Sequence, residues 1–248
     1  MNILAIIPAR YASTRFPGKP LALIAGKPMI EWVWEGVKQI DCISNAVVAT
    51  DDERIAETVR GFGGEVMMTS DSHRSGTDRC GEVLGRWKGE TPDVVINIQG
   101  DEPNVNAEQI EAVAQCFDDP AVQIATLRKA ILREEDLFSP NVVKVVTDLQ
   151  GNALLFSRHP LPYVRGKEQS QWMSEQQYFK HIGIYAFRKE VLETVVQLPQ
   201  SQLEKSESLE QLRWIENGYR IRVAETPVEN IGVDTPEDLA RLNESLIK

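Results

Sequence analysis

The sequence predicts an α/β fold: a Rossmann-like, mostly parallel central sheet flanked by helices, with a small mixed lobe in the second half. Apolar runs that end in polar or glycine-rich turns lie at residues 3–8, 46–50, 65–69 and 94–98. Amphipathic helical patterns alternate with them, at 28–40, 52–61, 76–87 and 107–117. The apolar runs are unbroken, which is typical of parallel strands buried on both faces. Alternating strands and helices therefore predict a parallel sheet.

The second half has a more mixed pattern. Strands are predicted at 122–128, 142–148, 153–157 and 181–187, and helices at 188–197 and 206–217. Some of these strands are expected to be antiparallel. The stretch 166–177 is polar and rich in Gln and Ser, which predicts an exposed loop or lid.

Composition and charge argue against several classes of protein. A formal net charge of −10 on 248 residues disfavours nucleic acid or an anionic membrane surface as a partner, because both require a broad basic face. No apolar run approaches the roughly 20 residues that cross a bilayer, so no membrane insertion is expected. Cys42, Cys80 and Cys116 lie far apart, which predicts neither a zinc site nor a disulfide framework and suggests a cytoplasmic location.

The local distribution of charge predicts a small anionic ligand. Residues 1–30 contain four basic side chains and no acidic one, since the first acidic residue is Glu31. The basic residues are Arg10, Arg15, Lys19 and Lys27. A positive patch on an otherwise acidic chain is a site of attraction for anions.

Three of these residues lie in the loop 8–20, directly after the first predicted strand, where open α/β sheets bind ligands. Arg10, Arg15 and Lys19 supply charge-assisted donors, and Ser13 adds a hydroxyl, a set that suits a triphosphate. A solvated basic loop is the structural alternative. The loop matches neither GxxxxGK[ST] nor GxGxxG, so the P-loop and dinucleotide-binding fingerprints are both absent.

Two aspartates and one serine have both structural and functional interpretations. Asp101 follows the strand at 94–98, where its carboxylate suits Mg²⁺ or simply forms an acidic turn. Asp234 opens the run 234–237, DTPE, which by itself predicts a capped helix start with Glu237 as the capping-box partner. Ser75 likewise predicts the cap of the following helix.

These segments resemble a known enzyme family. Residues 8–20, PARYASTRFPGKP, are similar to the N-terminal signature of sugar nucleotidyltransferases. The order of residues in this segment most closely resembles that of the CMP-Kdo synthetases, which are 3-deoxy-manno-octulosonate (Kdo) cytidylyltransferases. The resemblance continues through blocks that span nearly the whole chain, at 48–51, 75–79, 97–103, 156–158, 181–185, 208–213 and 232–238.

The resemblance implies a reaction and a cofactor. CMP would pass from CTP to the anomeric hydroxyl of Kdo, with release of pyrophosphate, for lipopolysaccharide or capsule biosynthesis. It implies Mg²⁺ bound by Asp101 and Asp234, and it adds Arg10 and Lys19 to these two as catalytic residues. CTP and Kdo are then the expected small-molecule partners, and a homodimer is the expected assembly.

The resemblance also implies the binding residues. For CTP they are Arg10, Ser13, Arg15, Lys19, Ser75, Gly76, Arg79 and Gln99. For the sugar acid they are Arg158 at the carboxylate, and His181, Tyr185, Glu210 and Gln211 at the hydroxyls. A planar guanidinium pairs bidentately with a carboxylate, which makes the first assignment chemically sensible. Taken singly, each second-half residue also has an ordinary structural explanation.

One nucleotidyltransferase domain, 1–248, is expected. Its parts would be a CTP-binding part at roughly 1–120, a sugar-binding and dimerisation part at roughly 121–225, and a C-terminal helix in 226–248 that returns to the metal site. Two alternatives stay open: a nucleotidyltransferase for 8-amino-Kdo or sialic acid, and a nucleotide-binding protein without turnover. A Rossmann dehydrogenase is disfavoured because GxGxxG is missing.

Overall fold

A computed structural model describes residues 1–12, 16–229, 232–233 and 235–246. The chain divides into two compact units, each built from separate segments. The first unit comprises Met1–Glu111, Arg188–Val196 and Asn230–Lys248, and the second comprises Ala112–Phe187 and Gln197–Glu229.

The helices and strands alternate in the first half as predicted. Up to residue 115 they are, in chain order, β1 (Ile3–Ala9), β2 (Leu23–Ile24), β3 (Lys27–Pro28), α1 (Met29–Lys38), β4 (Asn45–Thr50), α2 (Glu53–Gly61), β5 (Val66–Met68), α3 (Gly76–Arg86), β6 (Val94–Asn97) and α4 (Ala107–Gln115). Beyond it they are β7 (Ile124–Ala130), α5 (Glu134–Phe138), β8 (Lys144–Thr147), β9 (Ala153–Ser157), α6 (Trp172–Glu175), β10 (Phe179–Arg188), α7 (Lys189–Val195), α8 (Gln202–Glu207), α9 (Gln211–Glu216), β11 (Ile221–Glu225) and α10 (Pro236–Leu246).

The strands of the first unit confirm the parallel sheet. They pair in the order β6-β1-β4-β5, and each of these pairings is parallel. Ile6 of β1 is in register with Val47 of β4 and Asn97 of β6. Every residue from Ile3 to Ile7 is at most 1% exposed. Because successive side chains point to opposite faces of a strand, both faces of β1 are covered.

Helix α1 shows how the sheet is covered. Its buried residues are Met29, Ile30, Val33 and Val37, whose spacing places them on one face of the helix. Burying each such side chain contributes about 1.5–3 kcal/mol relative to leaving it exposed. The residues on the opposite face do not need to be apolar. The resulting alternation of apolar and polar positions is the pattern that predicted this helix.

The second unit has the mixed sheet that the sequence predicts. Strand β7 pairs antiparallel with β10 and parallel with β11. Strand β8 pairs antiparallel with both β9 and β10. Trp214, Tyr178 and Phe156 are among its largest fully buried side chains.

The single helix predicted at 206–217 is wrong, because the structure has two shorter helices there. Helix α8 begins earlier, where Ser201 and Glu204 form a capping box. It ends at Glu207, and the left-handed backbone of the next residue, Ser208 (φ 51°), stops the helix before α9 begins. Leu209 is buried at this break. Burial of Leu209 and the buried ion pair between Glu204 and Arg213 stabilise the break between α8 and α9.

The exposed loop predicted at 166–177 is wrong in its second part. Residues 165–171 are exposed, but Trp172 begins the short helix α6 and is only 2% exposed. Its ring belongs to an apolar cluster with Ile131, Leu137 and Tyr178. One large apolar side chain therefore anchors a stretch whose other residues are mostly polar.

Helix α10 has its cap one residue later than predicted. Asp238 N donates to Thr235 Oγ1 at 3.2 Å, and Thr235 N donates to Asp238 Oδ2 at 2.9 Å. The capping box thus joins Thr235 and Asp238 rather than Asp234 and Glu237. Asp234 itself lies outside the described residues. Among the helices that the structure describes, none is long and apolar enough to cross a membrane.

The pair between Arg213 and Glu204 allows a test of this packing. Both side chains are under 8% exposed, and two nitrogens of Arg213 bind the carboxylate at 2.8 Å. We expect Arg213→Met to lower the free energy of unfolding by about 3–5 kcal/mol, because it leaves Glu204 buried without a countercharge. Arg60→Met, which breaks an exposed pair with Glu53, should cost less than about 1 kcal/mol. Urea unfolding measures both, and equal losses would contradict the expectation.

Candidate active site

A polar pocket of the first unit lies where β1 and β6 end. Because β1 and β6 are parallel neighbours, their carboxyl ends meet at one edge of the sheet. The residues that follow them line a cavity of about 220 Å³. Seven residues that the sequence analysis singled out line it: Arg10, Lys19, Ser75, Gly76, Arg79, Gln99 and Asp101. Residues far apart in the sequence therefore meet in one place.

The pocket is predominantly basic. Arg10, Lys19, Arg74 and Arg79 line it, and Asp101 is the one acidic residue among its described lining residues. Arg10 is exposed, and no hydrogen bond to its guanidinium occurs in the part of the chain that the structure describes. Such a set of donors suits an anion.

Lys19 and Asp101 form an ion pair across the pocket. Lys19 Nζ lies 2.5 Å from Asp101 Oδ2, with the two side chains 11% and 37% exposed. Partial burial reduces screening by solvent ions, so this pair is stronger than one on an open surface. The contact joins the loop after β1 to the loop after β6.

The loop after β6 approaches the end of strand β1 closely at Gly100. A Cβ atom on Gly100 would lie 2.7 Å from the carbonyl oxygen of Pro8, closer than such atoms approach in proteins. Glycine is therefore required here by the close approach of two backbones.

Ser75 and Arg79 have clear structural roles beside the pocket. Ser75 Oγ accepts from Asp78 N at 3.0 Å and caps α3, as the sequence predicts. Arg79 is 4% exposed, and its guanidinium donates to Asp51 Oδ2 at 3.0 Å, to Ser70 O at 3.3 Å and to Thr69 Oγ1. Arg79 therefore orders the pocket wall, and most of its donors are already used. Because Ser75 and Gly76 line the cavity, the positive end of the α3 dipole lies there.

Two lining residues, His73 and Arg74, were missed by the sequence analysis. His73 Nε2 lies 2.5 Å from Glu82 Oε2. Burial would raise the pKa of Glu82, but hydrogen bonds from Ser70 N, His73 and Arg86 outweigh it and lower the pKa to about 2. Glu82 is therefore an anion that fixes the imidazole. The sequence did contain a sign of them. His73 and Arg74 are two adjacent basic residues between a strand and a helix, directly before the Ser75 cap, and loop 8–20 likewise carries basic residues directly after a strand.

The described part of the proposed metal site is Asp101. Ser13, Arg15 and Asp234 lie outside the described residues. Within the described residues no group of three or more His, Cys, Asp or Glu could hold a metal ion. Mg²⁺ needs only one or two carboxylates when phosphates and waters complete its shell, so the Asp101 carboxylate fits this ion. Val233 N donates to Asp101 O at 3.3 Å, which brings the C-terminal segment to Asp101.

The second unit contains the five residues assigned to the sugar acid. Arg158 is held by backbone carbonyls: its Nε donates to Glu207 O at 2.7 Å and its Nη1 to Pro140 O at 2.9 Å. Its Nη2 lies 3.5 Å from Ser208 O, two residues before Glu210. Gln211 is 5% exposed at the start of α9.

His181, Tyr185 and Glu210 form a cluster in this unit. The rings of His181 and Tyr185 lie 5.2 Å apart, and His181 Nε2 lies 2.9 Å from Thr126 Oγ1. Burial lowers the pKa of His181 to about 3, which makes the imidazole neutral at physiological pH. Burial, and then the charge of Glu210, raise the pKa of Tyr185. The buried Tyr185 hydroxyl has no hydrogen-bond partner within the described residues.

Comparisons with known proteins point to one family. A family model described as cytidylyltransferase matches residues 4–222. A protein of Parabacteroides distasonis named 3-deoxy-manno-octulosonate cytidylyltransferase is 54% identical, with 97% of this chain and 96% of that protein covered. The protein of the same name from Geobacter sulfurreducens is 52% identical, with 99% and 100% covered.

This chain belongs to the 3-deoxy-manno-octulosonate cytidylyltransferase family. A solved structure of CMP:2-keto-3-deoxy-manno-octonic acid synthetase complexed with CTP is 42% identical to it, with a TM-score of 0.91. That match covers 100% of this chain and 99% of the other. The fold of this cytidylyltransferase is therefore that of a CTP-binding relative over its whole length.

Gly100 gives a direct test of the pocket geometry. We expect Gly100→Ala to lower the free energy of unfolding by about 1–3 kcal/mol, since the new methyl group must displace the backbone at Pro8. Gly85→Ala is the matched control, because a Cβ there meets no atom within 4 Å. In helix α3 that control should be neutral or stabilising by up to about 1 kcal/mol. Chemical denaturation distinguishes the two variants, and a harmless Gly100→Ala would refute the close approach.

His181 gives a test by pH. Because its folded pKa lies below the unfolded value of 6.5, the unfolded chain binds the extra proton, and stability is lost as pH falls from 6.5 toward 3. His181→Gln should therefore reduce the loss of stability between pH 7 and pH 5 by about 2 kcal/mol. His159→Gln, at an exposed position, is the control. Unfolding measured at both pH values decides the matter, and a loss in His181→Gln as steep as in wild type would exclude the assignment.

Proposed function

We propose that this cytidylyltransferase transfers CMP from CTP to the anomeric hydroxyl of Kdo and releases pyrophosphate. The observation that carries the proposal is the convergence of Arg10, Lys19, Gln99 and Asp101 on one basic pocket. Full-length similarity to a synthetase complexed with CTP supports a nucleotide in this pocket.

The basic side chains would bind the triphosphate. Arg10 has unused donors, and Lys19 is held at the pocket by Asp101. The anomeric hydroxyl oxygen attacks the α-phosphorus and gives up its proton to solvent, the bond from that phosphorus to the bridging oxygen breaks, and pyrophosphate leaves with the electron pair. Positive groups that contact the β- and γ-phosphates would stabilise the charge on this leaving group.

Asp101, together with Asp234, would hold Mg²⁺. When bound, this ion would neutralise phosphate charge and act as a Lewis acid toward the nucleotide. The ion pair with Lys19 keeps Asp101 at the pocket before any ligand arrives.

The residues of the second unit would bind the sugar acid. Arg158 would pair with the carboxylate, and the neutral His181 would offer one donor or acceptor to a hydroxyl. The unpartnered Tyr185 hydroxyl is suited to the same task, because a buried polar group without a partner is costly until a ligand satisfies it. Glu210 and Gln211 would complete the contacts with the ring.

We also propose that the enzyme acts in the cytoplasm as a homodimer, with CMP-Kdo supplied to lipopolysaccharide or capsule assembly. Free Cys42, Cys80 and Cys116 support a reducing compartment. Cross-linking or analytical ultracentrifugation of the purified chain tests the dimer.

The reaction is tested by pyrophosphate release from each of the four nucleoside triphosphates with Mg²⁺, with and without Kdo. We expect pyrophosphate release only when CTP and Kdo are both present, and we expect no release when Mg²⁺ is chelated. Asp101→Asn should reduce kcat at least about 100-fold, because it removes a charged ligand that would hold Mg²⁺ at the nucleotide. Asp118→Asn, at an exposed position of the second unit, is the matched control.

Other outcomes would change the proposal. Release with 8-amino-Kdo or sialic acid but not with Kdo would replace the substrate and keep the chemistry. No release with any pair, while CTP still binds, would favour a nucleotide-binding protein without turnover.

A further inference from the structure

Lys144 is a buried cation to which the proposed reaction gives no role. It lies on β8 and is 0% exposed. Its ammonium group donates to three backbone carbonyls: Ser139 O at 2.9 Å, Val142 O at 2.7 Å and Arg158 O at 2.5 Å. A neutral amine has only two N–H groups, so three carbonyl acceptors require the protonated form. Burial lowers the pKa of Lys144, and the nearby charge of Glu207 opposes this.

Glu207 holds the other side of the same backbone. Its carboxylate accepts from Arg158 N at 2.9 Å and from Ser157 Oγ at 2.6 Å. The peptide groups on both sides of the Arg158 Cα are therefore fixed by buried or half-buried charges, the N–H by Glu207 and the carbonyl by Lys144. These two charges also compensate each other in a region of low dielectric.

Lys144 also orders the loop that receives the Arg158 side chain. Arg158 Nη1 donates to Pro140 O at 2.9 Å, and Pro140 lies between Ser139 and Val142, whose carbonyls bind Lys144. A guanidinium has five N–H groups. Three of those of Arg158 have carbonyl acceptors among the described residues, which leaves one on each terminal nitrogen. Two such N–H groups match the two oxygens of a carboxylate.

We propose that Lys144 is a positioning residue that fixes Arg158 in the orientation that binds the carboxylate of the sugar acid. The inference rests on the proposed function and adds to it a residue that does not touch the substrate. Because Lys144 acts through Arg158, it controls affinity for the sugar acid and leaves affinity for CTP unchanged. A residue that served stability alone would not separate the two substrates.

The test is Lys144→Met, compared with Lys180→Met. Lys180 lies opposite Lys144 in the register of β10 and β8, and its ammonium group pairs with Glu229. We expect Lys144→Met to raise the KM for Kdo about tenfold while the KM for CTP changes less than about twofold, since the lost contact affects one substrate only. Lys180→Met should change neither KM.

A second substitution keeps the proposal testable if Lys144→Met does not fold. Lys144→Gln retains two N–H donors and so at most two of the three carbonyl contacts. We expect a smaller rise in the KM for Kdo, again without a change for CTP. Lys144→Arg retains the charge and should restore much of the affinity for Kdo.

Three results would overturn the proposal: an unchanged KM for Kdo in folded Lys144→Gln, equal changes in both KM values, or the same change in Lys180→Met. Failure of the proposed function itself is distinguishable, because wild-type enzyme would then release no pyrophosphate from CTP plus Kdo.

Discussion

The parallel pairing of β1 with β6 is the constraint on which the pocket depends. Burial on both faces fixes the register of β1, since a slip by one residue would exchange the two covered faces. With the register fixed, the loops after the two strands must leave the sheet at the same edge. The absent side chain at Gly100 lets the loop after β6 approach Pro8 at the end of β1, and the ion pair between Lys19 and Asp101 joins the two loops. The pocket is positively charged because the loop after β1 brings Arg10 and Lys19 to this edge.

Much of the fold could be predicted, because apolar periodicity reports directly which faces are buried. The strands of the parallel sheet and helices α1, α2 and α3 were predicted in this way. The errors have a common physical origin in contacts between residues distant from the local pattern. A break at Ser208 is stabilised by burial of Leu209 and by Arg213 reaching back to Glu204. A single tryptophan, Trp172, anchors a segment that is otherwise polar.

The location of the site could be predicted from the sequence. The hydrogen-bond partners of its side chains could not. Residue type and strand-end position were enough to bring Arg10, Lys19 and Asp101 to one pocket. They could not show that the donors of Arg79 and Arg158 are largely used within the protein, because that depends on carbonyls and carboxylates supplied by other segments. They also missed His73, whose place in the wall depends on Glu82 of the next helix.

The discontinuous construction of the first unit has a consequence for synthesis of the chain on the ribosome. Helix α10 packs Leu242 against Ile24 and Met29, residues made more than two hundred positions earlier. These contacts cannot form until α10 has left the exit tunnel, although β1 and α1 emerge much earlier. Domains of nascent chains usually fold as units in order of synthesis. Here the unit that begins the chain is completed last, so Ile24 and Met29 lack part of their apolar cover until α10 has been made.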